Sequence, residues 1–416
     1  MARFALLLAT LLLPAVASAG PLPSTKEAYA KRALKEIRGV RGAECALEIE
    51  EFTVHCGDAF SLYLGNTWAE YREMKPAEKR DHLARFARSA APLDDLDFSD
   101  PALTSQLRPR IKSWAEFRGY DLVGVLRGQP LASTNPQPLS GSLAIDIVVD
   151  LPESMLPGTT SVLEGMGLNP ADALTLATTN LRQATAEDVF QPVAEGVWAA
   201  RTGDSYDSSR LLLTGLISKL PLQGDPVVMV ANRGNLLVAG SDDVGGLARL
   251  AVLGEEAMQQ PRWVTGGALI LRGGSYSDWL PGPEHPSHAA FRYLSVLSRG
   301  QWYAQQKEVL DAVAEAQGLK RIVGSFGSIG DLRGGGMTFS VVEAVTTLLP
   351  EVDLVVVVGP DEVPRFVPWA AFAETMKSPV TPDTYPPRYE VDPAAVESQW
   401  SALEAVGLTI EQMKNQ

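Results

Sequence analysis

The sequence predicts an α+β fold, with mixed antiparallel sheets and helices divided among several subdomains. Three observations carry this expectation. Strand-like runs do not alternate regularly with helical ones, which disfavours a doubly wound parallel sheet. Val227–Val230 and Leu236–Ala239 fold back on each other around Asn232-Arg233-Gly234-Asn235, with Gly234 or Asn235 expected at positive φ. Val352–Val358 is a continuous apolar run, expected to be a central and buried strand. A chain of 416 residues, 45% hydrophobic and 21% charged, supplies material for two or three domains of ~150 residues.

The chain opens with a pattern of export. Arg3, the apolar run Phe4–Leu13 and Ala17-Ser18-Ala19 read as a signal peptide over 1–19, cleaved after Ala19. The apolar run is too short to span a ~30 Å hydrocarbon core, and no later run is long enough. The expected location is periplasmic or extracellular. Without Arg3 the chain carries 35 basic and 50 acidic residues, a net charge of −15. Such acidity argues against a nucleic-acid partner and against anionic lipid. A protein or a small molecule remains as the partner class. No cofactor motif is present.

Residues 20–91 read as an N-terminal domain. Ser24-x-x-Glu27 is a capping box opening a helix through about Arg38. Folding at Glu50-Glu51 pairs Ile49 with Phe52, Leu47 with Val54 and Cys45 with Cys56, and Phe60, Leu62 and Leu64 continue that face. Gly57-Asp58-Ala59 makes the turn between them. The only two cysteines, Cys45 and Cys56, are then opposite one another and expected to form a disulfide after export. Asn66 is read as the cap of a helix bearing Trp68 and Tyr71, and Pro76 as the start of another through about Ala90. Residues 92–102 form an acidic linker whose aspartates lack the glycine and glutamate of a calcium loop. A central domain, 103–259, holds the strand Leu143–Val149 and a helix capped by Asn169. It also holds a helix Tyr206–Leu220 capped by Asp204 or Ser205, and one capped by Asp242 or Asp243. In a C-terminal domain, 260–377, Gly273–Trp279 reads as a loop and Ser287–Ala316 as the longest helix. Residues 378–416 are proline-rich, then helical, with Trp400, Leu403 and Val406 along one side.

Several short runs resemble the YtpQ-like bacterial family, a domain of unknown function, over roughly residues 26 to 270. They are Phe60–Tyr71, Leu107–Ile111, Asp146–Met155, Ala177–Leu181, Asp204–Leu212 and Val230–Leu237. The resemblance implies a multi-part α+β fold and no agreed reaction. In that family an acidic residue commonly follows the arginine matching Arg233, whereas Gly234 stands here.

Three constellations bear on chemistry. Gly203-Asp204-Ser205-Tyr206 is similar to a serine-hydrolase nucleophile block, but no downstream Asp-x-x-His supplies a base; only His285 and His288 follow. A polar helix cap is the simpler reading. Glu284-His285-Pro286-Ser287-His288 is one histidine short of a zinc set and is broken by its proline, so no metal is assigned. Gly324-x-x-Gly327-x-x-Gly330 and Gly334-Gly335-Gly336 precede a strand, unlike a phosphate loop, and read as a hairpin tip. The remaining candidates, Asp204, Tyr206, Arg210, Arg233 and Trp279, suit binding. The expected function is thus a non-catalytic binding or interaction module. The alternatives are a hydrolase using Ser205 with His285 or His288, and an envelope or secretion accessory with Trp400 and Leu403 exposed.

Overall fold

The computed structural model describes residues 21–57, 60–91, 96–126, 128 and 134–414. The signal-peptide reading, the turn residues Asp58-Ala59 and Pro92–Asp95 of the acidic linker lie outside these residues. The chain forms two compact units, one ending at Leu96 and including Leu151–Ser154, the other comprising Asp97–Asp150 and Met155 onwards.

In the first unit, helix α1 spans Lys26–Arg41. Its cap is Thr25 rather than Ser24, with Thr25 Oγ1 accepting from Ala28 N at 3.2 Å. Strands β1 (Cys45–Glu48), β2 (Thr53–Cys56) and β3 (Phe60–Tyr63) form an antiparallel meander. Its register matches Leu47 to Val54 and Cys45 to Cys56, as the apolar alternation requires. Ile49 and Phe52 lie outside the ladder, in the turn, with Phe52 at φ 53°. Helix α2 (Gly65–Glu73) encloses Asn66 instead of starting at it, and no side chain caps its first turn. Helix α3 (Pro76–Arg88) begins at its proline, whose missing N–H costs nothing there. Tyr29, Ile37, Val54, Tyr71 and Leu83 close one core.

Cys45 and Cys56 are joined by a disulfide beneath that core. Replacing both with alanine is expected to destabilise this unit by about 2–3 kcal/mol, from the chain entropy of so short a loop. Denaturant unfolding of the variant beside the native chain measures this; equal midpoints would contradict it.

The second unit is layered about a six-stranded antiparallel sheet. Strand β4 (Leu107–Ser113) leads into helix α4 (Trp114–Leu126) and pairs with β5 (Leu143–Asp150), from Leu107 opposite Val149 to Ser113 opposite Leu143. Helix α5 (Pro170–Gln183) is capped by Asn169, whose Oδ1 accepts from Ala171 N and Asp172 N. The central sheet comprises β6 (Phe190–Ala194), β7 (Val197–Ala200), β8 (Pro226–Asn232), β9 (Asn235–Gly240), β10 (Ala268–Arg272) and β11 (Ser275–Trp279). Their order is β11-β10-β8-β9-β7-β6, so the sheet continues through residue 260, where the sequence suggested a boundary.

Both faces of this sheet are covered. Val227, Met229 and Leu237 meet Leu247 and Leu250 of helix α6 (Val244–Met258), with Phe291 and Leu294 of helix α7 (His288–Gln317). Val228, Val230 and Leu236 meet Ile111, Val148 and Leu211. Hence β8 and β9 are buried on both faces rather than alternating. Asp243 caps α6 as expected, its carboxylate accepting from Gly246 N.

Three central expectations are corrected. The stretch Tyr206–Leu220 is not one helix but a 3₁₀ turn, Ser208–Leu212, and a single α-turn, Thr214–Ile217. Polar side chains at 204–210 bond one another and nearby backbone in place of a helical ladder. Neither Gly234 nor Asn235 adopts positive φ; Asn232 Oδ1 instead accepts from Gly234 N at 3.0 Å and closes the turn. The Gly273–Trp279 loop is a hairpin, with Gly273 and Gly274 at φ 57° and 82° and β11 after them.

Farther on, β12 (Gly327–Asp331), β13 (Gly335–Val341), β14 (Leu354–Val358) and β15 (Pro364–Pro368) form a four-stranded sheet in that order. The glycine-rich stretch is its β12–β13 hairpin. Strand β14 is central but only half covered: Val355 and Val357 are buried while Val358 is 51% exposed. Its apolar run fills one face against the core and leaves the other, with Ile329, Met337 and Val341, toward solvent. Strand Arg388–Val391 completes a small sheet with Thr347–Pro350. The terminal segment is three helices, Pro393–Ser398, Trp400–Val406 and Ile410–Lys414. Leu403 is fully buried and Trp400 packs on the same core, so the exposed stripe of the accessory reading is not formed. No helix among the described residues is long and apolar enough to cross a membrane.

Candidate ligand-binding site

The sequence candidates fall into two places. Asp204, Tyr206 and Arg210 belong to a network at the head of the 3₁₀ turn. Arg210, 1% exposed, donates from Nη2 to Asp204 Oδ2 at 2.6 Å and from Nη1 to Asp207 Oδ1 at 3.0 Å. Asp207 is fully buried and also accepts from Thr202 N, Thr202 Oγ1 and Gly203 N. Burial opposes ionisation of Asp204, but the Arg210 guanidinium and the Tyr206 N–H offset it and hold its carboxyl below the usual range. Tyr206 is 3% exposed, so it belongs to the core and offers no binding surface. Ser205 sits at φ 68° in this bend and bonds to neither histidine. His285 Nδ1 accepts from Ser287 N at 3.1 Å, and His288 Nδ1 donates to Pro281 O at 2.7 Å. Both imidazoles therefore shape the loop ahead of α7. Among the described residues no group of three His, Cys, Asp or Glu could hold a metal.

Arg233 is joined to a second network. Its Nη2 donates to Glu116 Oε1 at 3.0 Å, and Lys112 Nζ approaches the same oxygen at 2.9 Å. Asp146, fully buried, takes Arg110 at 2.5 Å. The runs Leu107–Ile111, Asp146–Met155, Asp204–Leu212 and Val230–Leu237 meet hereabouts. Arg110 and Asp146 pair across β4 and β5, and Ser208 N donates to Arg233 O at 3.1 Å. The acid that pairs with Arg233 is thus Glu116, from α4.

Burial opposes the charge of Glu116, yet Lys112, Arg233 and Arg110 together hold its carboxyl down at about 2. The folded value lies below the unfolded one of ~4.3, so this stabilisation is present above pH ~4.3 and lost as pH falls toward 2. Glu116→Gln should therefore cost stability at pH 7 and progressively less near pH 3. Melting curves across that range test this; a pH-independent difference would contradict it.

Trp279 leads to a different place, a cavity of about 290 Å³ between α7 and the β11 edge of the central sheet. That volume is at the small end of ligand pockets, which run ~300–1,000 Å³. Ser113 and Ser142 contribute from β4 and the turn before β5, Asp278 and Trp279 from the end of β11, and Tyr385-Pro386 from the proline-rich segment. Helix α7 presents Ser295, Ser298, Arg299 and Trp302, spaced i, i+3, i+4, i+7 and so on one face. Asp278 Oδ1 accepts from Ser140 Oγ at 2.8 Å and Ser142 Oγ at 2.6 Å. Trp279 meets Phe291 edge-on at 5.2 Å, and Trp302 lies 4.3 Å from Trp263. The Trp302 indole N–H is buried without a partner. Burial pushes the Tyr385 phenol up, and the Asp278 charge adds to this.

Of the named candidates, then, only Trp279 reaches the cavity; Ser205, His285 and His288 are not among its lining residues. Asp278, Arg299, Trp302 and Tyr385 were not singled out as site residues. The i, i+3, i+4, i+7 spacing of Ser295, Ser298, Arg299 and Trp302 was the signal that could have found these four wall residues. Compared with protein-family models, curated proteins and solved structures, the chain matches none.

Proposed function

We propose that this protein is an exported, non-catalytic binding module whose small-molecule ligand occupies the cavity between α7 and β11. The observation that carries the reading is the composition of that cavity. It joins apolar aromatic walls to a few convergent polar groups, with Asp278 and Arg299 as opposite charges. Its lining residues include no histidine, cysteine or lysine, the Ser142 hydroxyl bonds to the Asp278 carboxylate, and the Ser205 hydroxyl has no imidazole beside it. The Cys45–Cys56 disulfide fits an oxidising compartment and supports export. The reading includes kinship with the YtpQ-like family, supported by the meeting of four of its motif runs near Arg233 and Asp146.

Thermal melting of the full chain against a library of metabolite-sized compounds tests the reading. A ligand of the folded state raises the midpoint by mass action. The expected result is a compound that raises it in the native chain and not in Ser295→Phe, which fills the cavity. Compounds that act equally on both chains, or none that act, would refute it.

A further inference from the structure

We infer that the ligand is a small zwitterion, an α-amino acid or a betaine, with its cationic end at Asp278 and its carboxylate at Arg299. This rests on the cavity reading above and names the ligand class for the same site.

The two charges on the wall are each only partly used. Asp278 spends Oδ1 on two serine hydroxyls, while among the described residues its Oδ2 has no hydrogen-bond partner and no cation pairs with it. The hydroxyls fix the carboxylate without neutralising it. Gly141 lets it lie close, since a Cβ there would stand 2.7 Å from Oδ2. Arg299 donates from Nη2 to the Glu351 carbonyl at 2.7 Å, and the nearest carboxylate oxygen, Glu351 Oε1, is 3.9 Å away. The guanidinium also interacts with the Tyr303 hydroxyl and lies 5.7 Å over the Phe326 ring, and 34% of the side chain stays exposed. Tyr385 lines the same cavity as the two charges.

A ligand with one charge is complementary to one pole only. A dipolar ligand satisfies both and adds no net charge. Trp279 and Phe291 supply faces that suit an ammonium or quaternary ammonium group.

The test is calorimetric titration of the full chain with the common α-amino acids and glycine betaine. Phenethylamine and 3-phenylpropionate serve as single-charge counterparts of phenylalanine, and choline of betaine. At least one zwitterion should bind about tenfold or more tighter than either counterpart. Asp278→Asn should reduce its affinity to that of the carboxylate counterpart, and Arg299→Gln to that of the amine, with circular dichroism unchanged in both. Counterparts that bind as tightly as the zwitterion, or an affinity indifferent to Asp278→Asn, would overturn the inference. A non-zwitterionic compound that binds and is blocked by Ser295→Phe sinks this inference while leaving the cavity reading intact. If no compound of any class binds, both fall.

Discussion

Arg210→Ala is expected to destabilise the second unit by about 3–5 kcal/mol, the cost of removing one partner from a buried ion pair. The guanidinium is 1% exposed and faces two carboxylates, one of them fully buried. Without it, Asp207 keeps its bonds from Thr202 and Gly203 but no opposite charge. Replacing all three charges, as Asp204→Asn, Asp207→Asn and Arg210→Met together, should cost less than Arg210→Met alone, because no buried charge is then orphaned. Urea unfolding of the four chains measures this. A triple variant less stable than the single one would mean the network is held by shape rather than charge.

Arg388→Met is expected to cost about 3 kcal/mol or more, since it strands several buried acceptors at ~1–3 kcal/mol each. Arg388 is fully buried, and burial pulls its guanidinium down to about 10, so it remains charged at neutral pH. No carboxylate is bonded to it. It donates to Gly324 O at 2.8 Å, Leu348 O at 3.0 Å and Tyr303 O at 3.1 Å, and to the Gln306 side chain. It also lies 5.1 Å over the Tyr303 ring. Gln306 and Tyr303 in turn donate to Pro386 O and Pro387 O. Arg388 thus ties the proline-rich segment to α7 and holds Tyr385-Pro386 at the cavity wall. The variant should therefore lose ligand affinity as well as stability. Loss of stability with unchanged affinity would detach the wall from this anchor.

Local signals were legible in the sequence because they depend on few neighbours. Asn169, Asp243 and Asp392 cap their helices through bonds within three residues. The Cys45–Cys56 pairing followed from period-two alternation with one buried face. Misreadings arose where a tertiary partner overrode local preference. The turn-rich 204–210 run looked like a cap followed by a helix, until Arg210 and Asp207 are seen to satisfy each other. The run 352–358 looked doubly buried because exposed valines on an open sheet face read like core. Ser275–Trp279 looked like a loop because β11 is an edge strand of mostly polar residues. The cavity was the least legible part. Its charges come from Asp278 and Arg299, its roof from Tyr385 and its floor from Ser113 and Ser142. No spacing in the chain announces that these meet.

The central claim is that ligand enters the cavity between α7 and β11. Its most direct measurement is fluorine NMR of the chain labelled with 5-fluorotryptophan, titrated with a compound found by melting. The chain has eight tryptophans, so the resonances can be assigned by single Trp→Phe replacements. The account predicts that Trp279 and Trp302 shift with ligand while Trp68 and Trp400 do not. Saturable binding that moves other tryptophans and leaves Trp279 and Trp302 unchanged would contradict it.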